Sequence, residues 1–124
     1  MKKNYIDFVC VLHGYLIRVK EIHWSTDSNA IHKLCDEIED DIHDTEDRFA
    51  ECVMGMEGKK FKVGNLMPML PNAEELGGVL KEFEKDVIDF KKSIQDVPQN
   101  GGIFNILDEM IELANKYKYR ATQK

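Results

Sequence analysis

A chain of 124 residues is long enough for one modest apolar core and too short for two. With 43% hydrophobic and 32% charged residues and only three prolines, its composition is ordinary for a soluble helical protein. The net charge of −6 argues against a surface built mainly for nucleic-acid phosphates and suits one that attracts cations, and no apolar run approaches the ~18 residues of a membrane span.

In chain order, the first predicted helix runs from about Asn4, as N-cap, to Trp24, with Tyr5, Phe8, Val9, Leu12, Leu16 and Val19 inward. His23 continues that face by one turn. Ser25-Thr26-Asp27-Ser28 is a short polar connector that makes the next helix an antiparallel neighbour. The second helix spans about Asn29 to Glu57, with Ile31, Leu34, Cys35, Ile38, Ile42, Phe49, Val53 and Met56 on its apolar band. The stretch GKKFKVGNLMPMLPN then breaks regular structure, and its apolar residues Phe61, Val63, Leu66, Met67, Met69 and Leu70 are expected to pack over a bundle end or an interface. A third helix covers about Ala73 to Val97, with Leu76, Val79, Leu80, Phe83, Val87, Phe90 and Ile94 inside. Pro98-Gln99-Asn100-Gly101 forms a turn. The fourth helix runs from about Ile103 to Tyr119 with Phe104, Leu107, Met110, Ile111, Ala114 and Tyr117 inward, followed by a basic tail. The pattern predicts an all-α, antiparallel four-helix bundle as a single domain over residues 1–124.

The odd count of cysteines (Cys10, Cys35, Cys52) without CxxC spacing points to buried free thiols and a reducing compartment. Asp7 and His13 interrupt the basic-then-apolar N-terminus, and no A-x-A-like cleavage site follows, so a soluble, cytoplasmic protein is expected.

The second helix carries another stripe. His32, Asp36, Asp40, His43, Asp47 and Glu51 follow at steps of four, four, three, four and four, a line of imidazole and carboxylate alone. Nitrogen and oxygen donors without thiolate suit iron(II), manganese or zinc. Residues four apart lie one turn above each other, so His32 with Asp36, and Asp47 with Glu51, each make half a site. About 16 Å of helix separates Asp36 from Asp47, too far to share an ion within one chain. An antiparallel second copy related by a two-fold brings the first pair of one chain against the second pair of the other.

This pattern resembles the Dps-type mini-ferritins of the ferritin-like superfamily. The family pattern has His-Trp at the end of the first helix, then on the second a His, an Asp four on, an Asp eleven beyond and a Glu four further. Here these are His23-Trp24, His32, Asp36, Asp47 and Glu51, within a similarity covering roughly residues 8 to 57. The resemblance implies a ferroxidase. His23, His32 and Asp36 of one subunit, with Asp47 and Glu51 of its two-fold mate, would bind iron(II) and oxidise it with hydrogen peroxide or dioxygen for iron storage or oxidative-stress protection. Zinc or manganese are alternative occupants. It also implies a homo-oligomer through a two-fold dimer, up to a dodecameric cage. It places the Trp24 ring near the metal, where it can intercept oxidising radicals.

The chain departs from the family in three places. The loop between His23 and His32 is shorter, the helix usually found between the second and third bundle helices is replaced by the Pro/Gly-broken stretch, and the basic N-terminal tail is reduced to Lys2 and Lys3.

Plainer readings stand beside these. Asp40, Asp44 and Glu46 read as a solvated face, His43 as a surface or supporting residue despite its D-x-x-H spacing from Asp40, and His13 as an ordinary polar-face histidine. Trp24 reads most simply as an aromatic closing the bundle end. Glu39, with Asp40, Asp44 and Glu46, is expected to feed iron or nucleate mineral, without an assigned role. The rival functions are a non-enzymatic acidic helical-bundle interaction protein, a metal buffer without a cage, and DNA compaction by Lys116, Lys118, Arg120 and Lys124.

Overall fold

Four stretches with apolar residues at helical spacing form four α-helices packed around one core. This computed structural model describes residues 3–123; Met1, Lys2 and Lys124 lie outside them. The helices are α1 (Lys3–Ser25), α2 (Asn29–Glu57), α3 (Leu76–Ser93) and α4 (Gly101–Ala121), with a short 3-10 turn at Pro98–Asn100 leading into α4. Among the described residues there is no strand, and no helix is long and apolar enough to cross a membrane.

Side-chain pairs give the helix directions. Between α1 and α2 they are His13–Glu46, Lys20–Glu39 and His23–Asp36. Arg48–Glu109 and Arg120–Glu37 join α4 to α2, while Lys91–Asp108 and Lys118–Glu84 join it to α3. Tyr15–Asp86 and the stacked rings of Phe8 and Phe90 join α1 to α3. In each set the numbers rise on one helix as they fall on the other, so every neighbouring pair is antiparallel. It follows that α2 and α3, consecutive in sequence, run parallel. Residues 58–75 therefore travel the length of the molecule, as a strap along the outside of α1. Met69 N–H donates to Cys10 O at 3.0 Å, and the Arg18 guanidinium donates to Ala73 O further up.

Tyr15, Phe49, Leu12, Ile38, Leu107 and Met110 are among the most completely buried side chains. An aromatic cluster closes the end opposite the α1–α2 connector: Phe8 stacks on Phe90 at 4.0 Å between centroids and meets Phe49 edge-on at 5.3 Å. Tyr15 is inside because its hydroxyl donates to Asp86 at 2.5 Å, and the Tyr117 hydroxyl donates to Asp41 in the same way. Burial and then these carboxylates push both phenols well above their ordinary range.

The helix ends differ from the sequence expectation. Residues 3 and 4 are both helical, so Asn4 is inside α1 and not its N-cap. Ser28 caps α2, its hydroxyl oxygen accepting from Ile31 N–H at 3.2 Å, and Gly58 ends it in the left-handed region at φ 69°. α3 is shorter than expected at both ends, with Glu75 and Ile94 extended. α4 begins two residues early and buries Ile103 and Ile106, leaving Phe104 and Ile111 half-buried. Met56 lies at the exposed end of α2 and not in the core. The strap's apolar residues also depart from expectation. Phe61 packs against the core, whereas Val63, Leu66, Met67, Met69 and Leu70 are exposed in the single chain.

Candidate metal centre

The last turn of α1 and the first turns of α2 meet across the connector at residues 26–28. Thr26 Oγ1 accepts from Ser28 N–H at 3.1 Å, turning the chain sharply enough that His23 and His32 face each other. Their Nε2 atoms are 3.1 Å apart, with the rings nearly perpendicular at 85°. Asp36, one turn beyond His32, brings a carboxylate oxygen to 3.5 Å from His23 Nδ1. His23, His32 and Asp36 each offer a ligand atom, all within 4.8 Å of one another. This is the cluster of at least three such residues found among the described residues.

The donor set fits a divalent transition metal. With metal–nitrogen bonds of about 2.1 Å, two nitrogens 3.1 Å apart subtend about 95° at one ion, between octahedral and tetrahedral values. The centre opens outward: the His23 side chain is 14% exposed, that of Asp36 62%.

Glu39, to which sequence reasoning assigns no role here, also reaches this cluster. It lies on the same face of α2, one turn past Asp36, and its Oε2 is 2.5 Å from His23 Nδ1 while Oε1 accepts from Lys20 Nζ at 3.0 Å. The helical spacing of His32, Asp36 and Glu39 carried the signal, but only the pairing of α1 with α2 shows that His23 reaches it.

The other matched residues lie apart. Asp47 and Glu51 are exposed further down α2 and contribute nothing to the three-residue cluster. His43, also exposed, has its Nε2 3.6 Å from Asp47. Asp40 and Asp44 are solvated, as expected of a polar face. Glu46 is not: it is buried, and His13 Nδ1 sits 3.0 and 3.2 Å from its two oxygens. Burial raises the Glu46 carboxyl above its ordinary range, outweighing the opposite pull of His13. His13, itself exposed on the polar face of α1, is thus the solvent-side partner of a buried acid.

Trp24 is 76% exposed and closes nothing in the single chain. Cys10, Cys35 and Cys52 are free thiols. Cys35 lies beneath the centre, but burial, with Glu39 and Asp36 nearby, pushes its thiol up to about 11, so it supplies no thiolate at neutral pH. Three of the four tail cations already face acids: Lys116 toward Asp41, Lys118 on Glu84 and Arg120 on Glu37.

No curated protein and no solved structure matches this chain. Residues 23–121 match the sequence model of DUF5856, a family of unknown function, over a span that takes in His23, His32, Asp36, Asp47 and Glu51. With most of its length inside that match, the chain belongs to the DUF5856 family.

Proposed function

We propose that the chain is a ferritin-like four-helix-bundle protein of the Dps kind, a ferroxidase whose iron site is shared between two copies. The observation that carries this reading is the convergence of the two imidazole Nε2 atoms at 3.1 Å beside the Asp36 carboxylate. The connectivity supports it: two antiparallel hairpins joined by one full-length crossover is the arrangement of ferritin-like bundles. Asp47, with only the exposed His43 beside it at 3.6 Å, and Glu51 are exposed on the same helix, where they can complete a partner's site.

Iron(II) is the substrate. His23 and His32 hold it as neutral donors, and Asp36, with the partner copy's two carboxylates, offsets the charge gained on oxidation. Two iron(II) ions give two electrons to one hydrogen peroxide, which takes up two protons and leaves as two waters. Zinc and manganese fit the same donors and are expected to compete. A second reading keeps this chemistry in a cage-free dimer that buffers iron. It is favoured by the exposed strap, an irregular segment where the resembling family carries a helix. DNA compaction is disfavoured by the ion pairing of the tail.

Stopped-flow absorbance of iron(II) mixed with peroxide tests the assignment. The His32→Ala, Asp36→Ala double variant should fall to the protein-free rate. Oxidation as fast as the parent's would place the chemistry elsewhere.

A further inference from the structure

We propose that Glu39 is the positioning residue of this centre, holding His23 in the tautomer whose Nε2 lone pair faces the metal. The inference rests on the metal-centre reading and names the group that makes His23 a usable donor.

A carboxylate only accepts hydrogen bonds, so a contact of 2.5 Å between Glu39 Oε2 and His23 Nδ1 requires the proton on Nδ1. A neutral imidazole carries one N–H, which leaves the lone pair on Nε2, the atom facing His32. Two carboxylates approach the same nitrogen, and distance separates their roles. Asp36 at 3.5 Å is beyond good hydrogen-bond range and largely exposed, so it remains free to bind the ion. Glu39 is within range, and its side chain is only 14% exposed.

Lys20, bonded to the other oxygen of Glu39, keeps that carboxylate oriented from the far side. Glu39 engages His23 at Nδ1 and lies outside the cluster of ligand atoms that His23, His32 and Asp36 form within 4.8 Å, which makes it a support for a ligand and not a ligand itself. A hydrogen bond to the distal nitrogen fixes ring orientation and raises ligand basicity. The pattern is local: one turn of α2 supplies both the binding carboxylate, Asp36, and the supporting one, Glu39.

Two measurements on the full chain test this. Long-range proton–nitrogen correlation NMR of the metal-free protein should find His23 protonated at Nδ1, and Glu39→Leu should abolish that preference. In calorimetric titration with Zn2+, Glu39→Leu should weaken binding on the order of 10–100-fold. Glu39→Gln, whose amide oxygen still accepts the Nδ1 proton, should recover to within a few-fold of the parent. Either a parent His23 protonated at Nε2, or a Glu39→Leu protein that binds zinc as tightly as the parent, overturns the role. Glu39→Gln as weak as Glu39→Leu would instead make Glu39 a ligand. Failure of the parent to bind zinc at all would overturn the centre itself, together with this support.

Discussion

Glu46 shows how one side chain can set a pH dependence. Its carboxyl sits above the ordinary range because burial outweighs His13, so the folded chain holds that proton more tightly than the unfolded one. The resulting stabilisation is complete below the ordinary glutamate range and is lost as pH rises through the raised value. Glu46→Gln keeps an oxygen facing His13 and removes the need for an interior charge. Thermal melts at pH 7 should show this variant a few degrees above the parent, with the difference closing near pH ~4. A lower melting point at pH 7 would mean that the His13 ion pair outweighs the burial. The contrast with Asp40 and Asp44 shows what could be read at this scale. All three acids belong to the polar part of the α2 pattern, and only the line along which α1 lies decides which of them is covered. Periodicity identifies that a helix has a polar face; it does not say where the neighbouring helix runs along its edge. The same missing information hid Glu39.

Among the elements, α2 was the most legible, because Ser28 and Gly58 bracket an apolar repeat interrupted inside the helix only at Thr45 and Glu46. α3 was less so. The Gly77-Gly78 pair and the acids before it blur its start, and Ile94 continues the apolar spacing after the backbone has turned extended. The strap could be read as irregular but not as exposed, since apolar residues in a loop give no indication of which surface they lie against. Its fit to α1 depends on Gly14, where an added Cβ would sit 1.8 Å from Met69 O and 2.4 Å from Met69 C. Alanine in place of glycine ordinarily favours a helix by about 0.5–1 kcal/mol, but a collision with backbone atoms cannot be relieved by a rotamer change. Gly14→Ala should therefore leave α1 helical and lift the strap. Trypsin should cut after Lys59, Lys60 or Lys62 on the order of tenfold faster, with far-UV circular dichroism unchanged. Equal cleavage rates would show that the strap does not need this close approach.

For the whole molecule, the decisive question is whether the proposed metal site spans two chains. Mixing His32→Ala with Glu51→Ala protein under conditions that exchange subunits gives a direct answer. In a mixed pair one site collects both defects and the other none, and random exchange makes half the pairs mixed, so activity absent from each variant alone should return to about a quarter of the parent rate. No recovery, with light scattering confirming mixed oligomers, would confine the site to one chain. At this scale the number and order of helices followed from apolar spacing and turn residues. The parallel course of α2 and α3 did not, because a long irregular connection is compatible with either direction.

Contacts within the α1–α2 hairpin and contacts between the two hairpins also differ in how far apart along the chain they lie. His23 and His32 are nine residues apart and His23 and Glu39 sixteen, whereas Tyr15–Asp86 and Tyr117–Asp41 close separations of 71 and 76. Closing the shortest of these loops costs about 2 kcal/mol less entropy than closing the Tyr15–Asp86 one. During synthesis the imidazole pair and its supporting carboxylate leave the ribosome before α3 and α4 do. The order of manufacture therefore places the chemistry ahead of the core that later encloses its base.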